Sequence, residues 1–223
     1  MNPLSVFLEI RRLERIRIQL GDSEEALRLR KEFSKPHPRY CIIPNKRIGV
    51  ELIKSFEFES PEAYLASVNG KNSAAYFSRK AARAGYSVRR FDPNGYIDPI
   101  YAINTSKPMR QGQLMTEGYT ARADHFTIDD AHPWFGVFSR EDKLCGYVCV
   151  SRLDEVVLVN RILGHGDHLA NGVMYLLGTT LVQTVISERL GRYLMYDMYF
   201  GAKEGLRLYK GRLGFRPYWV TWL

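Results

Sequence analysis

Thiols are scarce. Cys41, Cys145 and Cys149 are the only cysteines among 223 residues. An odd count in a chain of this length does not read as a disulfide framework. Cys145 and Cys149 stand four apart in the strand-like Leu-Cys-Gly-Tyr-Val-Cys-Val. They therefore share a face but lie more than ~12 Å apart along it, too far for one metal ion, and read as small core residues. No stretch approaches eighteen consecutive apolar residues, which excludes a transmembrane helix. Residues 1–20 lack an uninterrupted apolar core and carry Arg11, Arg12, Arg15 and Arg17. That argues against a secretory signal and leads to the expectation of a cytoplasmic protein with no membrane partner. Repeats and low-complexity tracts are absent too.

Acid is in short supply relative to base: 24 acidic residues against 32 basic give a formal charge of +8. Two stretches concentrate it. Residues 71–90 hold Lys71, Arg79, Lys80, Arg83, Arg89 and Arg90 with no acid, and residues 203–216 hold five basic residues against Glu204. Such patches suit a phosphate-bearing partner, a nucleotide or an RNA, though a solvated helix face has the same composition. With 45% hydrophobic residues, the chain is long enough to bury one substantial core.

Residues 1–20 satisfy both helical and strand periodicities. Asp22-Ser23-Glu24-Glu25 opens a short basic helix, and Lys35-Pro36-His37-Pro38 reads as a linker. The expected division is an N-terminal extension over 1–38 and one main domain over 39–223. Ser60-Pro61 signals a helix ended by Gly70, and a second helix spans 73–84 before Gly85. A strand follows over 86–91, then helix in two pieces over 96–119, broken near Ser106-Lys107-Pro108. Three strands at 134–139, 144–151 and 155–163 form an antiparallel meander. After the loop Gly164-His165-Gly166-Asp167-His168 comes a helix over 171–188 with Val173, Leu177, Leu181 and Val185 on its buried stripe. Strand 193–199, helix 203–213 and strand 217–222 complete the chain.

This order, with Leu208-Tyr209-Lys210-Gly211-Arg212-Leu213-Gly214-Phe215 near its end, resembles the GNAT-like N-acyltransferases. There an aromatic and a basic residue precede Gly-Phe before the last strand. The aromatic-Lys pair is also similar to the Fem-type aminoacyl and peptidyltransferase branch, which takes aminoacyl groups from tRNA, and the basic helix 73–84 fits those relatives. The resemblance implies an α/β (α+β) fold with a GNAT-like mixed, largely antiparallel sheet flanked by helices. It implies transfer from acyl-CoA, acetyl-CoA by default, to an amine of a small molecule or peptide by direct attack. Aminoacyl-tRNA is the alternative donor, and a non-catalytic RNA-binding module on the same fold is a further reading.

The same resemblance suggests roles. Arg161-Ile162-Leu163-Gly164-His165-Gly166 matches the family's pyrophosphate-loop spacing, and a strand-to-helix turn is where free N–H groups and the helix dipole favour an anion. Arg161, Ile162, Gly164, His165, Gly166 and Lys210 are thus the expected cofactor-binding set. Tyr209 matches the family's tyrosine acid, or is a packed aromatic. Glu155 stands where some relatives keep a glutamate base, or is a solvated turn residue. His165 is a third catalytic candidate because an imidazole titrates near neutrality. The backbone N–H groups of residues 159–161 would serve an oxyanion if that strand parts from its neighbour. Asn104, Ser106, Arg110 and Gln111 fall where the family binds acceptors and could orient a polar or carboxylate-bearing amine, or simply cap a helix break. His165 and His168 flank Asp167, but no third ligand is evident, so no metal is expected.

Overall fold

The computed structural model describes residues 3–37, 44–110 and 113–223. Cys41 and Gln111 lie outside them. The ambiguous N-terminus resolves into helix α1 (Pro3–Arg12) followed by strand β1 (Arg15–Ile18). Helix α2 (Glu24–Ser34) starts where Ser23 Oγ accepts from the Ala26 N–H, with Glu24 and Glu25 in its first turn. Strand β2 (Ile48–Lys54) was not legible from the pattern. Helices α3 (Pro61–Ser67) and α4 (Ala74–Arg83) are capped by Ser60 and Ser73, and β3 (Ser87–Arg90) follows.

The stretch 96–119 departs from the expected pair of helices. Helix α5 (Ile97–Thr105) gives way to a hairpin of β4 (Met109–Arg110) and β5 (Gln113–Leu114), then to a single turn, α6 (Glu117–Thr120). Pro108 ends the helix because it disfavours helical geometry in the residue before it. Strands β6 (Trp134–Phe138), β7 (Leu144–Leu153) and β8 (Val156–Gly164) form the meander. Helix α7 (Val173–Ser187), β9 (Tyr193–Met198), α8 (Glu204–Arg212) and β10 (Arg216–Trp222) close the chain.

Eight strands join in one sheet of order β1-β10-β2-β9-β8-β7-β6-β3. Among the described residues, only β1/β10 and β8/β9 pair in parallel. Residues before 38, expected as an extension, thus supply an edge strand of the same sheet. Along β8, Val157 and Val159 face the core beneath α3, α4 and α7, while Val156 and Leu158 face a second core with Ala26 and Phe33 of α2. That alternation is the period of two a strand imposes when both its faces are covered. Helix α4 offers Ala74, Ala75, Ser78 and Ala81 to α7, small side chains that let two helices approach closely; Thr179 bonds Ser78 across the contact.

The pairing of β8 with β9 is brief. It runs from Val156–Tyr193 to Leu158–Met195 and then stops. Each strand carries a bulge just beyond that last rung. On β8, Arg161 faces Cys149 and Val159 faces Val150, which leaves Asn160 as the extra residue. On β9, Met198 faces Val50 and Met195 faces Leu52, so Tyr196 and Asp197 together oppose Glu51, and Asp197 adopts φ +56°. A bulge bends its strand and sharpens the local twist. Two bulges on neighbouring strands, immediately past their last shared hydrogen bonds, part the sheet into a V.

Candidate active site at the parting of two strands

Beyond Leu158, β8 keeps β7 as a neighbour on one edge and, among the described residues, has no strand on the other. Backbone N–H groups alternate between the two edges of a strand, so part of those in residues 159–163 point into the gap. Two cavities flank it. One, of about 400 Å³, is lined by Lys107, Arg110, Gly164, Met174, Lys203 and Tyr209 among others, and none of the described residues that line it is acidic. The other, of about 500 Å³, includes Tyr119, Asn160, Arg161 and Asp197. Arg110, Ile162, Leu163, Tyr196 and Leu206 border both, so the gap is their common wall.

Tyr209 stands on α8 in the first cavity, its hydroxyl donating to the Met174 carbonyl of α7 at 2.8 Å. Burial pushes its phenol well above the ordinary range, so it stays protonated at neutral pH. Ile162 and Gly164 line the same cavity. Arg110 reaches it from the β4–β5 hairpin. Its Nη1 donates to the Gly164 carbonyl at 3.0 Å, and its Nη2 donates to the Ile103 carbonyl at 2.8 Å and to Ser106 Oγ at 3.0 Å. No carboxylate ion-pairs with it among the described residues, its Nε is buried without a partner, and burial lowers its pKa. Ser106 Oγ also accepts from the Gly166 N–H at 3.0 Å, so Ser106, Arg110, Gly164 and Gly166 form one latch over the end of β8.

The remaining expected residues are elsewhere. Lys210 is fully enclosed beneath the sheet, ion-paired with buried Glu51 and donating to the carbonyls of Met198 at 2.9 Å and Tyr196 at 3.3 Å. It cannot touch a cofactor; its place on α8 faces inward, next to Tyr209 in sequence but on another side of the helix. Glu155 sits at the closed end of the V, where its carboxylate accepts from the Gln19 N–H at 2.8 Å and lies 3.4 Å from Arg192. The whole length of β8 separates it from Gly164, so it is no base for this cavity. Arg161 belongs to the second cavity, with its guanidinium 4.9 Å from the Tyr119 ring centre, not to the side of Gly164 and Tyr209. Asn104 is buried on α5, accepting from the Tyr147 hydroxyl at 2.7 Å.

The expected pyrophosphate loop is filled by the chain itself. Residues Gly166–Asn171 form a 3₁₀ turn capped by His165, and α7 begins only at Val173. The Gly166 N–H goes to Ser106, the Asp167 N–H to His165 Nδ1 at 3.3 Å, and the His168 N–H to the His165 carbonyl at 3.1 Å. A Cβ placed on Gly164 would meet Met174 Sδ at 2.5 Å, so that glycine admits packing side chains rather than a ligand. His165 is therefore a cap, and its neighbour His168 bonds the Tyr86 hydroxyl at 2.8 Å. The residues present do not fit the pyrophosphate of CoA at this position.

The sequence reading missed Glu51 and the two bulges. A lone acid inside the apolar run Ile-Gly-Val-Glu-Leu-Ile was the available signal for Glu51. The bulges had none, because a bulge is a property of the register between paired strands, and for β9 the partner β2 is more than a hundred residues away.

No family model and no curated protein matches the chain. Solved structures do. FemX superposes with a TM-score of 0.57 at 9% identity over 76% of this chain and 59% of that one. L-PGS from Bacillus licheniformis gives 0.52 at 14% identity, covering 77% and 59% of the two chains. The C-terminal domain of a putative lysylphosphatidylglycerol synthetase from Agrobacterium fabrum gives 0.51 at 11%, covering 76% and 58%. The chain thus spans less than two thirds of each solved structure. It shares their fold, and the GNAT-like sheet and Fem-type likeness expected from the sequence are borne out at that level.

Proposed function

We propose that the chain transfers an acyl group to an amine across the β8–β9 gap, and that its donor is an aminoacyl-tRNA. The acid-free, cationic cavity beside Tyr209 carries the reading. Lys107, Arg110 and Lys203 line it without a counter-charge on the wall, which suits the phosphates flanking a 3′-terminal aminoacyl ester. The filled loop after β8 speaks against acyl-CoA, whose pyrophosphate would need those N–H groups.

In this scheme the amine nitrogen attacks the ester carbonyl carbon. Unpaired N–H groups on the open edge of β8 donate to the oxyanion. The carbon–oxygen bond to the ribose then breaks, and that oxygen takes a proton. Tyr209, kept protonated by burial, is the group placed to give it, once its hydroxyl turns from the Met174 carbonyl. The proton shed by the nitrogen as the amide forms returns to the Tyr209 phenolate, so the protein ends as it began.

The test compares donors. Charged tRNA should bind with steep salt dependence and should deliver its labelled amino acid to amine acceptors, whereas CoA and acetyl-CoA should give no thermal stabilisation. Tyr209→Phe should lower the single-turnover rate by about 10²-fold or more with tRNA affinity unchanged. Saturable stabilisation by CoA would overturn the donor. Tight tRNA binding with no transfer to any amine would overturn the enzyme in favour of an RNA-binding module.

A further inference from the structure

A third cavity, of about 590 Å³, opens beside the second and shares Asn160 and Arg161 with it. Its size is that of a site for a small organic ligand. Tyr101, Phe126 and Trp134 give it aromatic walls, with Phe126 and Trp134 rings 4.9 Å apart and Trp134 stacked on Tyr147 at 5.5 Å. No acidic residue lines it among the described residues. Two histidines do, His125 and His132, and both nitrogens of His132 are taken, by Glu25 at 2.9 Å and Asp129 at 2.7 Å. Arg122 at the rim is paired with Asp98 at 2.7 Å. Arg161 differs from both. It is half-buried, it stands on the Tyr119 ring, and no carboxylate ion-pairs with it among the described residues. A guanidinium held on an aromatic face, without a counter-ion and between two cavities, is a seat for a planar anion.

Resting on the proposed transfer reaction, we propose that this chamber seats the acceptor. The acceptor is an amine that also carries a carboxylate and an aromatic body. The carboxylate lies on Arg161 and the ring between Tyr101, Phe126 and Trp134. Asn160, the bulge residue at the edge of the gap, then marks where the amine leaves the chamber toward β8. The chemistry follows from the walls: aromatic surface to bury a ring, a guanidinium with no carboxylate ion-paired to it among the described residues for two oxygens, and Asn160 at the side of the gap.

Calorimetric titration of the intact protein, with no donor present, tests this using three probes that differ by one group. These are 3-phenylpropanoate, L-phenylalanine and phenethylamine. The two carboxylates should bind saturably and phenethylamine at least tenfold more weakly. Arg161→Gln should weaken the carboxylates by about 10- to 100-fold, the loss of a charge-assisted pair. Arg90→Gln, on β3 outside the chamber's lining and paired with Glu188 in the parent, should bind as the parent does. Equal binding of phenethylamine, carboxylate binding unchanged in Arg161→Gln, or no saturable binding up to about 10 mM would each overturn the assignment. Should the Arg161 variant fail to fold, the comparison of probes on the parent protein still decides. Because no donor is used, probe binding without aminoacyl transfer refutes only the reaction, and transfer to simple amines without probe binding refutes only the acceptor seat.

Discussion

Replacing Lys210 with methionine removes the ammonium from a place water cannot reach. Lys210 is 0% exposed and Glu51 1%. The change strands the Glu51 carboxylate and withdraws a donor from the carbonyls of Tyr196 and Met198, on either side of the β9 bulge. Losing one partner of a buried pair costs about 3–5 kcal/mol. For a domain of this size that is a fall in Tm of about 6–20 °C. The pH dependence is diagnostic. Burial already holds the Glu51 carboxyl above its ordinary 4.5, against the lowering effect of Lys210. A carboxyl raised in the folded state binds its proton more tightly folded than unfolded, so stability falls as pH rises from the unfolded pKa through the folded one. Without Lys210 the rise is greater. The deficit of Lys210→Met should therefore be small near the unfolded value and grow with pH, by at most about 1.4 kcal/mol per unit. Urea unfolding at about pH 5 and about pH 8 measures it, and the double variant Glu51→Leu with Lys210→Met should recover most of the loss and its pH dependence. A deficit equal at both pH values, or a double variant losing as much as the two single variants summed, would refute the buried ion pair.

Two further outcomes concern stability. Gly172 caps α7 at φ +82°, and a Cβ there would lie 2.7 Å from the Phe77 carbonyl oxygen. Gly172→Ala should cost at least about 2 kcal/mol, whereas Gly211→Ala on α8, with open space around it, should gain about 0.5–1 kcal/mol; thermal unfolding compares them. Burial alone would lower the pKa of His132, but its hydrogen bonds to Asp129 and Glu25 outweigh that and raise it. A histidine raised in the folded state stabilises below its unfolded pKa and loses that contribution as pH rises through the folded one. His132→Gln should flatten this decline in unfolding midpoints measured from about pH 6 upward, and an unchanged slope would show that the Glu25–His132–Asp129 contact does not form.

The sequence determined most of the elements after residue 60, because caps, glycine stops and apolar periods are local. Ser60-Pro61, Ser73 and Gly85 act within a turn of themselves. The order of elements and the Tyr209-Lys210-Gly211 run then sufficed to expect the GNAT-like sheet. The hairpin at 109–114 was not legible, since four strand residues carry too little pattern to compete with a helical reading. Strand β2 hid behind its glycine and its charge, Gly49 and Glu51, each of which makes sense only against the residues it meets, Phe200 and Lys210.

What the tertiary structure alone decided is which side of the sheet each candidate occupies. Residues adjacent in sequence separate across a strand or around a helix, so Tyr209 and Lys210 part company though a motif names them together. The V between β8 and β9 comes from two bulges, and the one on β9 depends on a register with β2, more than a hundred residues away, so no local signal carries that information. Side-chain identities fixed what chemistry was on offer; the pairing of distant strands fixed where it could be used.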